Sequence, residues 1–170
     1  MLTLGIDDAG RGPVIGPMVL AGCLINEELA KDFKDKGIKD SKQLTPKRRE
    51  FLAQYIKEKA ETFEIVIIHP HEIDDHSHNG INLNDVEAMA TADIINAINK
   101  AQGKIKVVVD CPSPNLGKWG NFLRTKVKNH SNLDISCEHK ADINHIACSA
   151  ASILAKTIRD GEIEKIKGTI

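Results

Sequence analysis

Residues Ile105-Lys106-Val107-Val108-Val109-Asp110 constrain this chain more than any other six. β-Branched side chains favour extended backbone. Three consecutive valines leave no polar face, so a strand here must be covered on both sides. Such a strand belongs inside a sheet sandwiched between helices, which places the chain among α/β proteins. Asp110 ends the run, and Cys111-Pro112-Ser113-Pro114 keeps it from continuing. A carboxylate is thereby carried to the rim of a buried sheet.

The remaining segments fit around that strand. Leu2–Asp7 and Val14–Ile25 read as strands joined by a Gly10-Arg11-Gly12-Pro13 turn, and Phe63–Ile68 and Leu133–Glu138 as two more. Asn26–Asp35 predicts a short helix. Thr45-Pro46 supplies an N-cap and a first-turn proline for a helix reaching Ala60. Pro70 to Gly80 reads as a polar loop. Between Asn82 and Ala101, residues Val86, Met89, Ala90, Ile94, Ala97 and Ile98 make one apolar helical stripe. Further helices are expected over Leu116–Asn129 and Asp142–Lys167. No repeat, low-complexity tract or linker interrupts the 170 residues. They are expected to form one domain, residues 1–170, with a five-stranded mixed sheet flanked by helices.

The first strand ends as Asp110's does, in acid. Asp7 and Asp8 run directly into Ala9-Gly10-Arg11-Gly12. Glycines let backbone N–H groups approach an anion, and arginine presents a planar fork to phosphate oxygens. The same letters also suit an ordinary polar turn. Asp142 opens the last helix, with Ser149 and Lys156 at successive seven-residue steps, so the three share a face. Ser152 and Arg159 lie close to that stripe, while Ile146, Ala150, Ile153, Leu154 and Ile158 supply an apolar side. Alone, this pattern equally fits a plain amphipathic helix. Gathered together, Asp7, Asp8, Asp110 and Asp142 would repel one another unless a cation neutralised them. Oxygen ligands of this kind suit Mg²⁺ or Mn²⁺. Two such ions about 4 Å apart can hydrolyse a phosphodiester.

Charge is unevenly spread. Residues 1–99 carry 11 Lys/Arg against 17 Asp/Glu, a net −6, and residues 100–170 carry 12 against 7, a net +5. The basic C-terminal portion can face a polyanion or simply solvate helices. Lys42, in Asp40-Ser41-Lys42-Gln43-Leu44, can reach a phosphate or water. His69, His71, Glu72, Asp74, Asp75, His76 and His78 crowd one segment, but their spacing matches no zinc pattern and they read as polar surface. Tyr55 and Trp119 read as packing residues, leaving little aromatic surface for stacking on bases. Cys23, Cys111, Cys137 and Cys148 are widely spaced without Cys-x-x-Cys, which favours reduced thiols and a cytoplasmic location. Met1-Leu2-Thr3-Leu4 lacks the basic start of a signal peptide, and no apolar run approaches a membrane span of ~20 residues.

Four segments together carry a family resemblance. They are Asp7-Asp8-Ala9-Gly10-Arg11-Gly12-Pro13, Asp40-Ser41-Lys42-Gln43-Leu44, Val107-Val108-Val109-Asp110, and His139-Lys140-Ala141-Asp142 leading to Ser149-Ala150-Ala151-Ser152-Ile153-Leu154-Ala155-Lys156. In their order and spacing the chain resembles type 2 ribonuclease H (ribonuclease HII), in archaeal-like wording. The resemblance implies a ribonuclease H-like fold. It implies hydrolysis of RNA in RNA–DNA hybrids and cutting 5′ to ribonucleotides embedded in duplex DNA, leaving 3′-hydroxyl and 5′-phosphate ends. It implies two divalent ions, Mg²⁺ or Mn²⁺, held by Asp7, Asp8, Asp110 and Asp142. Gly10, Arg11 and Gly12 would read the ribose 2′-hydroxyl, the group that separates RNA from DNA. Lys42, Ser149 and Lys156 would hold phosphates. The implied partner is nucleic acid, with no membrane, no named protein partner and a monomeric state.

Two departures bear on these expectations. The family pattern has Asp-Glu where this chain has Asp7-Asp8, one methylene shorter, which points to a shifted metal preference. The family also continues past the last helix with a tyrosine against the ribonucleotide, whereas the only tyrosine here is Tyr55. The C-terminal extension is thus expected to be missing, with weaker recognition of a lone ribonucleotide. Two rivals remain at this point. A catalytically impaired hybrid-binding module would bind without cutting. A phosphoryl-accepting receiver-like domain also has an acidic pair and a strand-ending Asp, but it leaves Asp142 and the Gly-Arg-Gly turn unexplained.

Overall fold

The computed structural model describes residues 1–10, 16–39 and 41–168. Five strands, β1 (Leu2–Ala9), β2 (Met18–Ile25), β3 (Thr62–Ile68), β4 (Ile105–Asp110) and β5 (Leu133–Glu138), form one sheet in the order β3-β2-β1-β4-β5. β1 pairs antiparallel with β2, and β2 with β3, while β4 runs parallel to both β1 and β5. The mixed sheet expected from the sequence is therefore present. The antiparallel half also rules out the receiver-like reading, since that class is built on a parallel, doubly wound sheet.

Helices cover both faces. Leu4, Ile6, Val107 and Val109 pack with α4 (Leu83–Ile98) and α5 (Leu116–Lys126). On the other face, Ala9, Val19, Ala21 and Cys23 pack with α1 (Glu27–Asp35), α2 (Pro46–Lys59) and α7 (Ile146–Gly168). Val108 turns to this second side, against Ala141 and Cys148. All three valines are buried, as a two-sided strand requires. Trp119 is buried with its Nε1 donating to the Asn84 carbonyl at 2.9 Å, and Tyr55 packs on Phe33. No described helix is long and apolar enough to cross a membrane.

Several expected boundaries move. The first strand extends beyond Asp7 to Ala9, with Asp8 paired to Leu20 and Ala9 to Val19. The acidic pair thus stands on a strand end, not in a turn. Val14 and Ile15, part of the expected second strand, lie outside the described residues. The segment read as a loop after Pro70 is instead a helix, α3 (Pro70–His78). Its first turn explains the miss. Pro70 presets the helical φ, and Glu72 reaches back to accept the His69 N–H at 3.1 Å, a local cap that needs no apolar stripe. The last helix is two helices. α6 (Ala141–Asn144) stops at His145, whose φ and ψ of −132° and 125° are extended, and α7 then starts at Ile146.

Candidate active site

The parallel register of β1 and β4 brings two carboxylates together. Gly5 pairs with Val108 and Ile6 with Val109, so Asp7 and Asp110 follow as neighbours at the strand ends. Side chains alternate along a strand, which sends Gly5, Asp7, Val108 and Asp110 to the α7 side. Gly5 is needed there. A Cβ on it would sit 2.2 Å from the Ala147 carbonyl carbon and 2.3 Å from the Cys148 nitrogen, so α7 lies directly on the strand. Asp142 arrives from α6 on the same side. Ligand oxygens of Asp7, Asp110 and Asp142 all lie within 4.8 Å of one another, the one group of metal-ligating side chains among the described residues. The histidine-rich segment forms no such group among them.

Asp7 is 5% exposed. Burial, then the charges of Asp8 and Asp110, then a hydrogen bond with Asp110 push its carboxyl well above the usual carboxylate range. The Asp8 N–H, donating to Asp7 Oδ1 at 2.8 Å, pulls only weakly the other way. Asp110 Oδ1 accepts the Ala141 N–H at 3.2 Å, which ties the end of β4 to the start of α6. Three converging carboxylates, one of them buried and disfavoured as an anion, are what a divalent cation relieves. The donor set is all oxygen, which fits Mg²⁺ or Mn²⁺.

Asp8 stands apart from the three. The pleat points it away from Asp7, although its charge is felt there. Ser149 is 2% exposed and its hydroxyl donates to the Asp142 carbonyl at 2.5 Å, with a second contact to the His145 carbonyl at 3.2 Å. It clamps the break between α6 and α7 and so holds Asp142 in place. Ser149→Ala is expected to cost about 1–2 kcal/mol of unfolding free energy, the usual penalty for a buried hydrogen bond lost, measured by urea denaturation.

Lys42 is exposed on a single 3₁₀ turn, Ser41–Gln43. That turn is fastened to α7 by a buried Ser41 Oγ–Ser152 Oγ hydrogen bond of 2.8 Å. Arg49 adds to the fastening, donating to the Leu44 carbonyl at 2.8 Å and the Ser41 carbonyl at 3.3 Å. Lys156 is half-buried on α7. Gly10 is described, with a φ of +89°, while Arg11 and Gly12 lie outside the described residues. Sequence reading passed over Glu138. It ends β5 in register with Asp110 and takes a 2.9 Å hydrogen bond from His145 Nε2, which holds its carboxyl below the usual range. Its signal was there: an acid closing a third strand beside β4.

The ribonuclease HII family model matches residues 4–170. The chain belongs to the ribonuclease HII family. A ribonuclease HII of Methanococcus maripaludis strain C7 is 44% identical over 98% of this chain and 68% of its own length. Among solved structures, the ribonuclease H2 of Pyrococcus horikoshii OT3 superposes with a TM-score of 0.87 at 37% identity, over 99% of this chain and 76% of that one. The Archaeoglobus fulgidus protein, solved as a PCNA:RNase HII complex, gives 0.85 at 32% identity, over 98% of this chain and 76% of its own. The archaeal resemblance and the ribonuclease H-like fold both hold. As a ribonuclease HII, the chain is an endoribonuclease of the type 2 ribonuclease H class that uses divalent metal.

Proposed function

We propose that this chain cuts the RNA strand of RNA–DNA hybrids, and cuts 5′ to ribonucleotides embedded in duplex DNA, leaving 3′-hydroxyl and 5′-phosphate ends. The observation that carries this reading is the convergence of Asp7, Asp110 and Asp142 at the sheet rim. Asp7, Asp110 and Asp142 would hold two divalent ions, Mg²⁺ or Mn²⁺, and Asp8, which lies outside their group, would join them by reaching round the strand end. Bound there, the ions supply Lewis-acid polarisation of the scissile phosphate and neutralise the charge that develops on it. The protein's own part is placement. The Asp8 N–H orients Asp7, the Ala141 N–H orients Asp110, and Ser149 fixes Asp142. Lys42, on a turn fastened to α7, and Lys156, on α7 itself, meet backbone phosphates, which position the duplex without reading its sequence. Ser149, whose hydroxyl is bonded to the Asp142 carbonyl, would join them by exchanging that bond for one to a phosphate oxygen. Gly10, Arg11 and Gly12 read the 2′-hydroxyl.

We take residues 1–170 as one catalytic domain acting as a monomer in the cytoplasm. Both sheet faces are filled by its own helices. The four free cysteines suit a reducing compartment. Exposed large apolar residues, Met1, Phe51 and Ile143, stand far apart in sequence. The PCNA assembly of the Archaeoglobus fulgidus relative makes a PCNA the first protein partner to try.

The test incubates the protein with a labelled RNA–DNA hybrid and with a DNA duplex containing one ribonucleotide, in Mg²⁺ and in Mn²⁺. Cleavage with the stated ends supports the reading, and binding without cutting would leave a hybrid-binding module. The shortened second acid yields a further expectation. Asp8→Glu should raise the Mg²⁺ rate relative to the Mn²⁺ rate several-fold, because ligand distances matter to about 0.2 Å. Equal rates for both metals in both proteins would remove any role for that methylene.

A further inference from the structure

We propose that Glu138 and His145 are a positioning pair for the metal centre: the hydrogen bond between them fastens the end of α6 to the strand beside β4 and so sets Asp142 against Asp110. The proposal rests on the reading of Asp7, Asp110 and Asp142 as ligands of divalent metal. Asp142 sits in α6, a helix of four residues. A segment this short gains too few internal hydrogen bonds to hold its own shape. Its flanks leave the helical path at once, Lys140 at a φ of +57° and His145 in extended backbone. The place of Asp142 therefore depends on what holds the two ends of α6. Asp110 holds the entrance, its Oδ1 accepting the Ala141 N–H at 3.2 Å. At the exit, the His145 carbonyl takes the Ser149 N–H of α7 at 2.9 Å. The His145 ring reaches the sheet instead, with Nε2 2.9 Å from Glu138 Oε1. A carboxylate only accepts, so Nε2 carries the proton.

Glu138 can serve as an anchor because of its place in the sheet. It is the register partner of Asp110, and its carbonyl takes the Cys111 N–H at 2.8 Å, which carries the β4–β5 ladder past Asp110. Residues in register on parallel strands project to the same face, so Glu138 points to the side on which Asp142 arrives. Ser136 Oγ donates to Glu138 Oε2 at 3.1 Å, so both carboxylate oxygens are engaged. The result is a closed circuit. The ladder joins Asp110 to Glu138, the side chains join Glu138 to His145, and α6 returns from His145 to the Ala141 N–H on Asp110.

The test compares Glu138→Ala, His145→Ala, their double variant, Glu138→Gln and His145→Gln. Each is followed by Mn²⁺ titration calorimetry, by kcat and KM on an RNA–DNA hybrid, and by melting temperature without metal. Glu138→Gln keeps an acceptor for the ring and loses the charge, while His145→Gln keeps an N–H donor. Both alanine variants should bind Mn²⁺ roughly five- to tenfold more weakly, the worth of one hydrogen bond. Their kcat should fall about tenfold with KM within about twofold, since misplaced groups slow the chemistry. The double variant should be no worse than either single one, because the same bond is lost in all three. Both glutamine variants should stay within about threefold of wild type.

A pair that only stabilises the fold would lower melting temperature and leave Mn²⁺ affinity and kcat unchanged, which overturns the proposal. Glu138→Gln as damaging as Glu138→Ala would show that the charge acts by itself, and additive losses in the double variant would show two separate roles. Either result also overturns it. Asp110→Asn separates the layers. If it abolishes Mn²⁺ binding while the alanine variants bind as wild type does, the positioning role fails and the metal centre survives. If Asp110→Asn also binds as wild type does, both fall.

Discussion

Asp110→Asn should abolish cleavage of an RNA–DNA hybrid, lowering the rate on the order of 10³-fold or more, while the protein folds and becomes more heat-stable without metal. The rate follows from the place of Asp110 in the carboxylate group. Several kcal/mol of transition-state charge stabilisation depend on metal held there, and each 1.36 kcal/mol is tenfold in rate. The stability gain follows from Asp7. Burial, together with the charges of Asp8 and Asp110, raises its carboxyl well above the usual range. A carboxylate whose folded pKa is raised adds stability that is complete below its unfolded pKa and lost as pH rises through the folded value. At neutral pH the metal-free wild type therefore bears this cost. Removing the Asp110 charge relieves part of it, worth about 2–4 °C of melting temperature for each kcal/mol in a chain of this size. The difference between variant and wild type should shrink towards pH 4 and reverse in saturating Mn²⁺. Differential scanning fluorimetry across pH, with and without the ion, reads all of it. A metal-free variant less stable than wild type at pH 8 would contradict the electrostatic account.

Gly5→Ala should be nearly as damaging, although Gly5 touches no substrate. The added Cβ meets the Ala147 carbonyl carbon at 2.2 Å, the Cys148 nitrogen at 2.3 Å and the Ala147 oxygen at 2.5 Å. These are backbone atoms of α7, so no rotamer change relieves the clash and the helix itself must move. Overpacking of a well-filled core costs about 1–3 kcal/mol, and a clash with backbone belongs at the upper end. That corresponds to a fall of roughly 6–12 °C in melting temperature. The helix that moves carries Ser149, and Ser149 holds Asp142. A displacement of about 1 Å at a reacting centre can cost on the order of 10²-fold in rate. Gly5→Ala is thus expected to lose activity at temperatures where it is still folded. A variant that melts early but cuts normally at 20 °C would show that α7 does not set the position of Asp142.

Most of the scaffold was legible because its signals are local. Val107-Val108-Val109 announced a strand buried on two faces, and Thr45-Pro46 and Asn82 announced helix starts that the structure keeps as caps. The hidden parts are those set by geometry between elements. α3 escaped because its helix is nucleated by Pro70 and a Glu72 cap, with no buried residue to reveal a period. The break at His145 escaped because apolar spacing runs on across it. The adjacency of Asp7 and Asp110 depends on the β1–β4 register, which no single segment carries. The pleat alone separates Asp8 from Asp7, so its absence from the carboxylate group was readable from strand alternation once Asp8 was known to lie in β1. Ser149 shows the limit differently. Beyond the phosphate contact that its helix face suggests, its hydroxyl bonds the Asp142 carbonyl, a positioning contact that spacing along one helix does not reveal.

Asp7, Asp110 and Asp142 act together as one metal centre if their convergence serves catalysis. Calorimetric titration of Mn²⁺ into the wild type and the three single Asp→Asn variants, at pH 8 and at pH 5.5, tests this most directly. Each variant should bind at least about tenfold more weakly than wild type. The wild-type affinity should fall at the lower pH, where protons compete for the raised Asp7 carboxyl. Wild-type affinity in any two of the three variants, or an affinity indifferent to pH, would contradict a shared centre.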